Sequence, residues 1–182
     1  SHPAARASFT EVSLAQEAQR VMELFALSAE DKGVTLSLRG DAWVTGDRLM
    51  IQRAISNLLS NAIRHTPEAS TVLLLVETYE QSVSLSVGNP GRGIEAHHLP
   101  HLFERFYRAD SSRTRAEGGT GLGLAIVKSI MHLHQGHAHV TSQPGRFTRF
   151  SLVFPQTLEA PLSPCESGLA REGGVSVSTG ID

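Results

Sequence analysis

The chain has 182 residues, 40% of them hydrophobic and 19% charged, which suits one domain with a substantial core and is short for two. Its net charge of −2, with both signs interspersed, gives no basic field for nucleic acid, and a single cysteine, Cys165, excludes an internal disulfide framework. The longest apolar run, VLLLV at 72–76, is too short to cross a bilayer and no signal sequence opens the chain, so a soluble cytoplasmic piece is expected.

Residues 1–8 read as a linker, and FTEV (9–12) as a short strand leading into a helix. Ser13 with Gln16 forms a capping box, and Leu14, Ala18, Val21, Leu24, Phe25 and Ala29 follow at helical spacing up to Gly33. VTLSL (34–38) alternates as a half-buried strand, and Trp43 starts another short extended piece. Asp47 is placed to cap a second long helix that runs to about His65, with Pro67 ending it. TVLLLVE (71–77) and SVSLSV (82–87) read as two strands of a hairpin. Residues 94–118 form a long connector without clear period, and a third helix runs from near Leu122 to Gly136. HAHVTS (137–142) and FTRFSLVF (147–154) give another hairpin, and the Ser-, Gly- and Pro-rich tail from 156 to 182 is expected to be disordered. The fold class predicted is an α+β two-layer sandwich, with three helices on one face of a mixed, largely antiparallel sheet.

On the second helix Ile51, Ile55, Leu58, Leu59 and Ala62 share one side. Asn57, Asn61 and Arg64 stack on the other, with His65 at the margin. A solvated polar face would explain the stripe. So would chemistry, because neutral amide oxygens can hold Mg²⁺ beside phosphates and an arginine fork can pair with a phosphate.

Two glycine-rich stretches add to this. GNPGRG (88–93) follows a strand and reads as a tight turn, in which Asn89 either shapes the backbone or reads a ligand. GGTGLGL (118–124) runs into a helix, where exposed N–H groups and the helix dipole favour phosphate. It lacks the Lys-Ser/Thr pair of the common phosphate loop and the preceding parallel strand of a dinucleotide site. Between them lies HLFERFYRAD (101–110), whose phenylalanines suit a hydrophobic anchor and whose Arg108 suits a terminal phosphate.

Taken in order, NLLSNAIRHTP (57–67), GNPGRG, HLFERFYRAD and GGTGLGLAIVKSI (118–130) resemble the N, G1, F and G2 boxes of the catalytic ATP-binding domain of sensor histidine kinases. That domain has the Bergerat-type fold shared with DNA gyrase, Hsp90 and MutL. The NPG form and the FERFYRADSSR string are most similar to heavy-metal sensor kinases. The resemblance covers residues 9–155 and implies the following roles. Asn57 and Asn61 hold Mg²⁺ and the phosphates of ATP, while Arg64 and His65 line the nucleotide. Gly91 and Gly93 let the base approach, and residues 94–118 form the ATP lid. Gly119, Thr120, Gly121, Leu122 and Gly123 cradle phosphate. Arg108 reaches the γ-phosphate, with Arg113 and Arg115 assisting.

The resemblance also implies partners: a dimerisation domain carrying the phosphoacceptor histidine, and a response regulator. The fragment is then monomeric, and the full-length protein a homodimer in the bacterial inner membrane. None of the nine histidines has the phosphoacceptor pattern, so the acceptor is expected outside this chain. His132 and His134 diverge on a helix, whereas His137 and His139 share a strand face.

Two other readings compete, a hydrolytic ATPase and a degenerate interaction module. Hydrolytic members carry a glutamate where this chain has Asn57, which cannot act as general base for water. The family's base-reading aspartate is here Asn89. An amide both accepts and donates, so ATP binding is expected to survive while discrimination against guanine weakens through amide flipping.

Overall fold

The computed structural model describes residues 8–108 and 122–156. Most of the linker, part of the lid (with Arg113 and Arg115), Gly119, Thr120 and Gly121 of the glycine loop, and nearly all of the tail lie outside the described residues. In chain order the elements are β1 (Thr10–Ser13), α1 (Leu14–Leu24), α2 (Ala26–Lys32), β2 (Thr35–Arg39), β3 (Trp43–Gly46) and α3 (Arg48–His65). There follow β4 (Thr71–Thr78), β5 (Ser82–Pro90), a 3₁₀ turn (Ala96–His101), α4 (Gly123–Leu133), β6 (His137–Gln143) and β7 (Phe147–Pro155).

Five strands form one sheet in the order β2-β4-β5-β7-β6, in which β2 and β4 are parallel and the other pairs antiparallel. The expectation of a mixed, largely antiparallel sheet holds. β1 and β3, however, leave that sheet and pair with each other as a separate two-stranded ribbon. Strand alternation sends Val72, Leu74 and Val76 of β4, Val83, Leu85 and Val87 of β5, and Phe150, Leu152 and Phe154 of β7 into one core. Ile51, Ile55, Leu58 and Leu59 of α3 fill the same core from the helical layer.

The helix starts follow local chemistry. The Ser13 hydroxyl accepts from the Gln16 N–H at 3.2 Å, and the Asp47 carboxylate accepts from the Met50 N–H at 2.9 Å. The first predicted helix is broken at Phe25, whose φ of −100° and ψ of 6° leave the helical region. Its N–H is shared between the Val21 and Met22 carbonyls, which tightens the turn and shifts the phase of α2. Leu24, expected on the apolar stripe, is the last residue of α1 and is 76% exposed. One buried polar group was not anticipated: Glu17 on α1 is fully buried, accepting from the Gln52 amide of α3 and paired with Arg20.

Candidate functional site

The polar stripe of α3 is half-buried and faces the start of α4. Asn57 Nδ2 donates to the Gly123 carbonyl at 3.1 Å, which joins the first helical residue after the glycine loop to the stripe. Because that carbonyl can only accept, the amide is oriented with Oδ1 turned away from it. One turn further on, neither the Asn61 amide nor the Arg64 guanidinium has a hydrogen-bond or ion-pair partner among the described residues. Lys32 on α2 instead satisfies the backbone there, donating to the Ile63 and Arg64 carbonyls at 2.8 and 2.7 Å. α4 begins at Gly123 behind Leu122 with no side chain capping its first N–H groups.

The second cluster lies at the C-terminal end of β5. Asn89 is not in the turn where its Gly-Pro neighbours suggested; the strand continues through Pro90, paired with Phe147 of β7. Alternation carries Asn89 to the helix-facing side of the sheet, 8% exposed, opposite Thr148. Its Nδ2 donates to the Pro90 carbonyl at 2.8 Å. The turn itself starts at Gly91, whose φ of 146° excludes most side chains and whose Cβ would lie 3.1 Å from the His65 carbonyl. Asn89 and the end of α3 thus meet across Gly91. Gly93, at φ 71°, has a packing requirement of its own, since a Cβ would come within 2.4 Å of the Gln143 carbonyl.

Two residues passed over in the sequence belong to this corner. The Thr66 hydroxyl is buried without a partner among the described residues, next to His65 and Pro67, which both abut Gly91. Thr148 shares Asn89's face. Ser142 Oγ donates to the Phe147 carbonyl, so its only proton is engaged and Thr148 must be the donor in their 3.0 Å contact. Among the described residues no donor reaches the Thr148 hydroxyl. Cross-strand register, which no sequence spacing reveals, was the missing signal for Thr148.

From Asn57 to His65 the helix axis advances by roughly 12 Å, so the two clusters sit at opposite ends of one groove-like stripe. The connector packs over this side of the sheet through Leu102 and Phe103, with Phe103 edge-on to Phe150 at 5.9 Å. Phe106 does not share the anchoring expected of both phenylalanines: it is 65% exposed at φ 65°, with the Arg105 guanidinium 5.6 Å from its ring centre. Arg108 is half-buried and is the last described residue before the rest of the lid.

Of the histidines at the end of α4 and in β6, His134 is tied into the fold. His134 is buried, and the burial lowers its pKa against the opposing pull of the Ile130 carbonyl and Asp47. His137 and His139 share a strand face with ring centres 6.1 Å apart, and no group of three or more metal-ligating side chains occurs among the described residues.

Comparison with known proteins is consistent across sequence and structure. The family described as histidine kinase-, DNA gyrase B-, and HSP90-like ATPase matches residues 46–158. The sensor histidine kinase CusS of Escherichia coli (strain K12) is 49% identical over 145 residues, covering 79% of this chain and 30% of CusS. The chain thus spans about a third of the length of the curated relatives it matches. Among solved structures, the catalytic domain of histidine kinase ThkA superposes with a TM-score of 0.71 at 27% identity, covering 82% of this chain and 96% of that one. ThkA in complex with response regulator protein TrrA gives 0.68 at 25%, covering 84% and 43%. Full-length ShkA in complex with AMPPNP gives 0.72 at 27%, covering 85% and 33%. Among the described residues no helix is long and apolar enough to cross a membrane.

Proposed function

The chain belongs to the histidine kinase-, DNA gyrase B- and HSP90-like ATPase family as the ATP-binding catalytic domain of a sensor kinase, and from that premise we propose that it presents Mg·ATP to a histidine on a separate dimerisation domain. The observation that carries the proposal is the division of labour on α3. Asn57 is anchored to the start of α4 by its NH₂, while Asn61 and Arg64 are half-buried with no partner for their polar groups among the described residues.

This donor set fits the cation and the phosphates. The Asn57 and Asn61 oxygens are neutral, hard ligands that would hold Mg²⁺ with phosphate oxygens and water completing its shell. Bound there, the cation would offset charge on the phosphate chain. Arg64 would pair with a phosphate through its fork, and the uncapped N–H groups at Leu122 and Gly123 would receive another, together with Gly119, Thr120 and Gly121. At the other end Asn89, Gly91 and His65 would take the base. Arg108, on the lid, would reach the γ-phosphate.

The chain would act by positioning and charge stabilisation, without a nucleophile of its own. An amide at Asn57 takes no proton from water at neutral pH, which favours transfer to a protein acceptor over hydrolysis. By analogy with the ThkA–TrrA complex, a response regulator would receive the phosphoryl group. The parent protein would be a homodimer in the inner membrane, responding to heavy-metal ions.

Asn61→Ala tests the site. Mg²⁺-dependent ATP affinity, measured by calorimetry with and without EDTA, is expected to fall by about tenfold or more. Undiminished Mg²⁺-dependent affinity in the variant would sink the assignment.

A further inference from the structure

We propose that His98 and Tyr107 are a positioning pair: the hydrogen bond between them fixes the point from which Arg108 leaves the connector, and so sets how strongly the site reads a terminal phosphate. The inference rests on the reading of Arg108 as the γ-phosphate contact.

The connector is anchored step by step up to this pair. At its start the Ile94 N–H donates to Ser142 Oγ of β6 at 2.7 Å, and the 3₁₀ turn packs against the same strand. Leu102 is buried and Phe103 packs on the core. The Glu104 N–H then donates to the His101 carbonyl at 2.9 Å, and the His101 ring meets the Glu104 carboxylate at 3.0 Å. Beyond this turn the chain reverses at Phe106. Its φ of 65° is left-handed backbone, costly for an aromatic residue, and the exposed Phe106 ring gives little to hold it there.

Tyr107 supplies what holds the reversal from its far side. Its hydroxyl meets His98 Nδ1 at 2.5 Å, and its ring centre lies 5.3 Å from that of His101 and 5.9 Å from that of His98. The Tyr107 N–H donates to the Glu104 carbonyl at 3.3 Å, and the His98 ring is backed by that of His97 at 4.0 Å. The residue directly before Arg108 is thus tied by side chain and backbone to the anchored part of the connector. An arginine fork recognises a phosphate only from a narrow range of positions, and a small misplacement forfeits the contact. Neither His98 nor Tyr107 has to touch the nucleotide; both act through Arg108.

Calorimetric affinities of the full chain for Mg·ATP and Mg·ADP separate an effect on the terminal phosphate from a general loosening. Tyr107→Phe, which removes only the hydroxyl, is expected to lower ATP affinity about fivefold and to leave ADP affinity within about twofold of the wild type. His98→Ala should match it, and the double variant should be no worse than either single one, since both remove the same bond. His98→Asn should recover most of the loss, because an amide can accept from the tyrosine hydroxyl or donate to it. Should His98→Ala fail to fold, Tyr107→Phe and His98→Asn still carry the test. Equal losses for ATP and ADP in Tyr107→Phe would reduce the pair to a structural role and overturn the positioning. So would wild-type affinities in Tyr107→Phe beside an ATP-specific loss in Arg108→Ala, which would leave the γ-phosphate reading standing. Unchanged ATP and ADP affinities in Arg108→Ala would overturn that reading, and this inference with it.

Discussion

The two ends of α3 handle polar groups in opposite ways. At the N-terminal end the Asp47 carboxylate accepts from Met50 N–H and from the Ser8 hydroxyl, and the Asp47 N–H donates to His134 Nε2 at 3.0 Å. The remaining ring nitrogen of His134 donates to the Ile130 carbonyl at 2.8 Å, and the ring stacks on Phe9 at 4.6 Å. At the C-terminal end the backbone is equally well served, by Lys32, but Asn61, Arg64 and Thr66 have side-chain groups without partners among the described residues. Polar groups closed on one another stabilise the fold and do nothing else. Open groups on a firmly held backbone cost stability, and the proposed nucleotide is what they would serve.

If the ends are separable in this way, substitutions should sort by end. The largest effect is expected from Gly46→Ala. A Cβ there would come within 2.6 Å of the His134 ring and 2.8 Å of Ile51, so overpacking should cost about 3 kcal/mol in chemical denaturation. The ATP affinity of the folded protein should be unchanged; a parallel loss of affinity would break the comparison. Lys32→Met should come next, losing about 2 kcal/mol as two helix-end carbonyls give up a charged donor. Unlike Gly46→Ala it should also weaken ATP binding, because the carbonyls it caps belong to Ile63 and Arg64. Arg64→Ala should show the converse of Gly46→Ala: about tenfold lower ATP affinity by calorimetry, with stability within about 0.5 kcal/mol of the wild type.

Some of this was legible because its determinants are local. The Asp47 cap, the α3 stripe and the strand alternation each depend on neighbours within a turn or two, and each appears where spacing put it. The features that were not legible depend on distant partners. Asn, Gly and Pro at 88–90 signal a turn, yet the ladder with β7 pulls all three into β5. β1 and β3 read as short extended pieces like any strands, and only their mutual pairing separates them from the main sheet. His134 and Glu17 could equally have been exposed; their burial depends on Asp47 and Gln52, remote in sequence. For the site, the stripe on α3 could be read directly, whereas the hydrogen bond from Asn89 to the Pro90 carbonyl could not.

The smallest effect expected concerns pH and tests the closed end alone. Burial lowers the His134 pKa below its ordinary 6.5. In the fold Nε2 must accept from the Asp47 N–H, and a proton there would turn an acceptor into a donor facing a donor. As the pH falls through 6.5 the unfolded chain protonates this histidine and the folded chain does not, so the unfolded state binds more protons and stability declines. The decline from this one group is at most about 1.4 kcal/mol per pH unit, and it levels off once the folded form also titrates. Asp47, whose carboxyl is raised by burial but brought below 3.8 overall by its hydrogen bonds, adds its loss only at more acid pH. His139, lowered by partial burial and then by His137, contributes in the same direction from the sheet edge and is removed with His139→Asn. In that background His134→Gln, which can still accept from Asp47 and donate to Ile130, should flatten the slope of unfolding free energy between pH 7 and the acid plateau. His134 makes its bond at the N-terminal end of α3, so ATP affinity should follow the wild type in both variants. An unchanged slope in His134→Gln would show that the acid sensitivity arises elsewhere and that the closed end is less tightly sealed than its hydrogen bonds imply.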